Sequence, residues 1–366
     1  MILRSSRLAL AGALTVAAAA LAAGFPAAAG TLPFAVAHRI EMAGGPPVAA
    51  LAFSPDGKQA YAGVGDELRS FDVATGSPGA VVKLPGQIVG LATSADAGGS
   101  LYAAVSAPAR LLFLSLHPLH IRSSASLRGG APSGLLYEPG EHALYVASRS
   151  GHAVARLDSD SGKTIAVARL RGELAQMAGD GRGTLYVANA AGDAIDVVAT
   201  DKMTFTGAIP TPNCHAPTGL DFDPVGRRLF VACGNGTALV IDTDMGFAFE
   251  QLPISKGTAL RTVFAFHAGV PADWKGGAFI AGDGPALDGI RMNAFISYTS
   301  GGSLPLAGRA TALAVSPAAR QLWIALAPRN GASDGAAAGA AGGGVADASR
   351  QAGVEILALG ASGGAQ

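Results

Sequence analysis

One short phrase constrains this chain more than any other feature: a small apolar strand with an aromatic residue near its start, written seven times. It reads AYAGV around Tyr61, LYAAV around Tyr102, LYVAS around Tyr145 and LYVAN around Tyr186. It returns as LFVAC around Phe230, AFIAG around Phe279 and LWIAL around Trp323. Successive aromatics lie 41, 43, 41, 44, 49 and 44 residues apart. A recurrence of about 40–50 residues made of strands and turns is the sequence signature of a β-propeller blade.

The first repeat, Leu51 to Gly76, shows the grammar of the rest. Leu51–Phe53 reads as an apolar strand, and SPDGK supplies the turn, with proline presetting φ and Asp56–Gly57 supplying the reversal. Ala60–Val64 is a second strand, and Glu67–Val73 alternates apolar and polar residues as a third. After ATG, Ala80–Leu84 forms a fourth, which completes a blade. Blade two degrades its first turn to SADAGG, blade six stretches its first hairpin with HAGVPADWKGG, and blade seven is interrupted after Trp323.

A ring must close, or its two open edges invite pairing with other chains. The last repeat ends at Leu359 after three strands, whereas Phe34–Met42 precedes blade one as an orphan strand. The expectation is therefore an all-β, seven-bladed propeller of four-stranded antiparallel blades, with the N-terminal strand completing the last blade. It forms a single domain over residues 30–366, with a Gly/Ala-rich insertion at 330–352.

Residues 1–29 read as a secretory signal peptide. Arg4 and Arg7 precede an apolar run from Leu8 to Leu21, and Ala27–Ala29 offer a small-residue cleavage site. Arg4 and Arg7 are separated by Ser5 and Ser6, so this is no twin-arginine signal. The mature chain is expected in the periplasm, as a monomer with no transmembrane anchor after cleavage. Lys plus Arg equals Asp plus Glu at 26 each, which lacks the positive excess that nucleic-acid binding requires.

Cys214 and Cys233 are the only cysteines. In an oxidising compartment they favour a disulfide, worth about 3 kcal/mol for a loop of this length. The hairpin register sets Cys233 nearer Thr218 than Cys214, so two free thiols remain the alternative. Neither CxxC nor CxxCH occurs, and the seven histidines form no metal-ligand set; His117 and His120 share only an HPLH turn. No GxSxG, P-loop or EF-hand pattern is present. The aspartates Asp72, Asp158, Asp196 and Asp242 recur at similar blade positions, which reads as repeated turn capping.

The stretches SPDGKQAYAGV, LYVAN with IDVV, and LFVAC with VIDTD resemble the YVTN-type repeats of bacterial seven-bladed propellers, the YncE-like group. The resemblance covers nearly all of the mature chain and describes strand packing more than chemistry. It implies a strand order in which the loops entering each blade share one face with the loops joining its second and third strands. Ligand sites in such rings usually lie on that face, around the channel. Its polar candidates are Arg149, Asn189, His215, Asn235, Arg261, Asp283, Arg309 and Arg329. They compose a mixed polar rim and no recognisable catalytic set.

The favoured function is that of a non-enzymatic binding or scaffold protein of the cell envelope, with a protein, peptide or envelope component as partner and no cofactor. The alternative is a lactonase-like hydrolase, which rests on fold analogy alone. A quinone-dependent dehydrogenase is weaker still, since only Trp274 and Trp323 are available for tryptophan docking motifs. The insertion at 330–352 reads as a tolerated, unpacked loop, with a lid as the sharper alternative.

Overall fold

Each blade grows from turns that its own side chains hold. In blade one, Ser54 Oγ donates to Asp56 Oδ1 at 2.6 Å, and the Lys58 amide donates to the same oxygen at 3.1 Å. That turn joins Val48–Phe53 to Gln59–Val64. Asp72 then accepts the Thr75 amide and hydroxyl at 2.9 and 2.8 Å, and Asp158 repeats the arrangement with Ser161. Asp242 likewise accepts two loop amides, from Asp244 and Met245. Asp196 breaks the pattern: it sits within its strand, opposite Val187, and accepts a hydrogen bond from Asn189.

The computed structural model describes residues 31–32, 34–42, 45–95, 99–255, 259–266, 274–293, 297–316, 321–329 and 354–361. The leader read at 1–29 and the insertion at 330–352 lie outside these residues. The described strands form seven antiparallel sheets of four strands each. The innermost strands are Val48–Phe53, Gln87–Ser94, Pro132–Glu138, Leu174–Gly179, Pro217–Asp223, Leu260–Phe266 and Arg309–Ser316. In blade seven, Phe34–Met42 pairs with Val354–Ala361 from Phe34 opposite Ala361 to Met42 opposite Val354. The ring is thus closed by one strand from the start of the chain and three from its end.

Strands buried on both faces must alternate between two neighbours. Seven apolar clusters accordingly occupy the seven junctions between adjacent blades. The repeated aromatic of each second strand points into the junction with the following blade: Tyr61, Tyr102, Tyr145, Tyr186, Phe230 and Phe279 in turn. Trp323 completes the circle by packing on blade one, with its ring 5.6 Å from Phe53 and 6.3 Å from Phe71. The flanking residues face the other way, so Leu101 and Ala103 join blade two to blade one.

The innermost strands leave an unpaired edge along the channel, and buried backbone groups need partners. Each of them carries a register shift near its start, as between Pro132 and Gly134 or between Pro217 and Gly219. Side chains then span from blade to blade. Ser133 Oγ donates to the Leu174 carbonyl at 3.1 Å, and Thr218 Oγ1 to that of Leu260 at 2.8 Å. Gln176 Oε1 accepts the Leu220 amide at 3.1 Å. Strands this close exclude larger residues: a Cβ on Gly90 would meet Leu135 Cβ at 2.9 Å.

Truncating the closing aromatic tests this account. Trp323→Ala should lower unfolding free energy by about 3–5 kcal/mol, read from the urea midpoint. Phe205→Ala, on an outer strand where the ring is 48% exposed, should stay within about 0.5 kcal/mol.

Candidate binding face

Alternating strand direction brings the loops entering each blade to the same side as the loops joining its second and third strands. There the eight candidate residues lie mostly in separate contacts between neighbouring loops. Asn189, buried at the end of its strand, donates to the Arg171 carbonyl at 2.7 Å and accepts the Gly192 amide at 3.0 Å. Asn235 donates to the Asn213 carbonyl at 2.9 Å. Arg261 grips Asp283 with two hydrogen bonds of 2.7 and 2.6 Å, a bidentate fork suited to a planar guanidinium. Arg329 donates to the Leu306 carbonyl at 2.8 Å and the Gly308 carbonyl at 3.2 Å.

His215 crosses between blades: its Nδ1 lies 2.7 Å from Asp193 Oδ2, while Asp193 Oδ1 accepts the Ala216 amide at 2.8 Å. The His215 hydrogen bond, followed by that amide, holds the Asp193 carboxyl below the ordinary range. Arg149 reaches from blade three to Glu173 of blade four at 3.8 Å. Arg309 is different, because its Nε is buried without a hydrogen-bond partner among the described residues. The structure therefore joins Arg261 with Asp283, and sets His215, Asn235, Arg149 and Arg329 against groups that sequence spacing does not single out.

Cys214 and Cys233 form a disulfide, with Cα atoms 5.5 Å apart. Simple hairpin register sets Cys233 nearer Thr218 than Cys214. In fact Pro217 faces Cys233, because the shift before Gly219 takes up Thr218. The entering loop then doubles back: the Cys214 amide donates to the Thr211 carbonyl at 3.1 Å, and Asn213 and Ala216 adopt φ of 63° and 51°. Both cysteines are fully buried.

Two recesses open on or below this face. One lies on the channel axis with a volume of about 190 Å³, walled by the innermost strands near Gly90, Ser133, Gln176 and Thr311. The second, about 530 Å³, lies off axis between blades two, three and four. Its walls include Val89, Pro132, Ser133, Arg149, His152 and Glu173. Of these only Arg149 stood among the sequence candidates. Glu173 was legible only through repeat register, which sets an entering loop beside the second-to-third loop of the preceding blade.

The channel wall also holds Asp221, partly buried on the innermost strand of blade five. Its carboxylate accepts the Ala265 amide of blade six at 2.8 Å and the Phe222 amide at 2.9 Å. Burial pushes the group up to about 6, with nearby Asp223 adding to the rise while both amides oppose it. On the opposite face, Glu141 ties blades three and four by accepting from Tyr145 at 2.5 Å and Thr200 at 2.9 Å.

No known family profile matches the chain, and no curated protein matches it by sequence. Its fold is similar to the structure titled WD40 repeats of RRP9, at TM-score 0.69 and 12% identity over 89% of this chain and 99% of that one. The structure titled U3-55K is similar at TM-score 0.69 and 12% identity, over 87% of this chain and 97% of that one. At such identity the likeness establishes the seven-bladed propeller and nothing of chemistry.

Two measurements follow from these contacts. Replacing Cys214 and Cys233 together by serine should cost about 3 kcal/mol in guanidinium unfolding, and added reductant should then have no further effect. For Asp221 the folded protein holds a proton between roughly pH 4 and 6 where the unfolded chain has released it. Its contribution to stability is complete below the unfolded value and is lost as pH rises through about 6. Unfolding free energy should show a falling component over that window, and Asp221→Asn should remove it.

Proposed function

We propose that this chain is an exported propeller of the YVTN-repeat, YncE-like kind that acts as a non-enzymatic binding protein in the cell envelope. Its partner, a protein, peptide or envelope component, is held on the face that carries the entering loops. One observation carries the reading. The pairs His215–Asp193 and Arg261–Asp283 on this face tie neighbouring loops together, which gives a preformed surface. A surface whose loops are already ordered loses little entropy on binding, which suits recognition. The buried disulfide supports export, because such bonds persist in oxidising compartments.

Affinity capture from an envelope fraction tests it, with the mature chain from Gly30 as bait and mass spectrometry of what is retained. The expected outcome is a saturable partner whose retention falls at least severalfold when Arg261→Glu breaks the tie to Asp283. Retention of nothing specific, together with turnover of a panel of lactones, would establish the hydrolase instead.

A further inference from the structure

The off-axis recess has a chemistry of its own. Its walls are built before any ligand arrives. Ser148 Oγ donates to the Gly129 carbonyl at 2.7 Å and accepts the Gly151 amide at 3.0 Å, which locks two loops of blade three together. Gly129 and Gly130 take φ of 113° and 107°, and a Cβ on Gly151 would strike the Gly129 oxygen. The Ala190 amide donates to the Glu173 carbonyl at 2.9 Å and fixes the third wall. His152 is anchored twice: its carbonyl accepts the Leu170 amide at 2.8 Å, and its Nδ1 bonds the Gly172 carbonyl.

Opposite charges stand side by side in the wall of this recess, which the apolar Val89 and Pro132 also line. Arg149 Nη1 and Glu173 Oε2 are 3.8 Å apart, with 60% and 58% of their side chains exposed. That contact is too long for a hydrogen bond, and each group keeps most of its donors or acceptors for something else. In an α-amino acid the ammonium nitrogen and the nearer carboxylate oxygen lie roughly 3 Å apart, set by three bonds through two carbons. That spacing is close to the gap between Arg149 and Glu173. A zwitterion can therefore lay its carboxylate on Arg149 and its ammonium on Glu173, closing a ring of four alternating charges without separating the protein's own pair. Charge-assisted hydrogen bonds are the stronger kind, and they gain most where both partners are engaged.

We propose that the recess between blades two, three and four is a binding site for a free α-amino acid with an apolar side chain. Arg149 takes the carboxylate, Glu173 takes the ammonium, and Val89 with Pro132 receives the side chain. The assignment rests on the binding reading above and supplies the ligand class for this one site.

Calorimetric titration of the mature protein with L-leucine, N-acetylleucine, leucinamide and 4-aminobutyrate tests it. Saturable one-to-one binding is expected for leucine alone. Each blocked form, and 4-aminobutyrate with its widely separated charges, should bind about tenfold more weakly or worse, the loss of one charge-assisted pair. The variants make the test reciprocal. Glu173→Gln should abolish the preference for leucine over N-acetylleucine while keeping the preference over leucinamide; Arg149→Gln should do the opposite. Thermal melts matched to the parent show that both variants remain folded. Failure of leucine to bind, equal binding of the blocked forms, or identical behaviour of the two variants would overturn the amino-acid site. A partner still recovered by affinity capture in that case leaves the binding reading standing, and failure of both experiments removes both.

Discussion

An aromatic ring pressed against the next blade is the interaction from which the remaining structure follows. Each second strand is apolar on both faces, so no blade can satisfy itself: Tyr145 needs blade four as Leu144 needs blade two. A stack of such sheets has no natural end, and curvature into a ring is what gives every copy two neighbours. The same closeness creates the inner edge along the channel. There, hydroxyls and carboxylates such as Ser133, Thr218 and Asp221 tie one innermost strand to the next. The channel is narrow because its wall is a set of strand edges drawn together by the junctions behind them.

That arrangement decides what the loops can do. Loops anchored on seven wedged blades sit at fixed separations, so a residue of one blade repeatedly meets a residue of its neighbour. The pairs of His215 with Asp193 and Arg149 with Glu173 are two instances of one geometric relation. In the first, the carboxylate also accepts the Ala216 amide, so each of its oxygens holds a hydrogen bond. In the second, a wider gap leaves both partners with capacity to spare. Repetition of the scaffold thus yields a rim on which small differences in loop length separate a structural tie from a binding site.

Much of this fold was legible before any coordinates. Seven spaced aromatics numbered the blades, and the orphan strand at Phe34–Met42 met the three strands that end at Ala361 as expected. Period-two alternation is local, and every copy restates it. The channel-edge bulges escaped notice because nothing in Pro217–Gly219 marks an extra residue; their cause is the approach of a neighbouring strand. The disulfide favoured from the two cysteines is present, and the bulge with the entering loop is what brings Cys214 to Cys233. Asp196 differs for a related reason: the same letter recurs near the third strand of several blades, but in blade four it falls within the strand and faces Val187. On the rim, Arg149 was visible as a polar loop residue but Glu173 was not, because their meeting depends on how two blades are set against each other.

The closing strand carries a consequence for how the molecule comes into being. A ribosome delivers the chain amino end first, so Phe34–Met42 emerges before every other described strand of the ring, and its partner Val354–Ala361 after them. Six blades can assemble in order as they appear, each on its predecessor, while the first strand waits unmatched. The ring has no seal until Val354–Ala361 has been made. A chain cut short anywhere before Val354 is left as an open arc with an orphan edge at either end, the form of this protein most exposed to capture by chaperones and proteases.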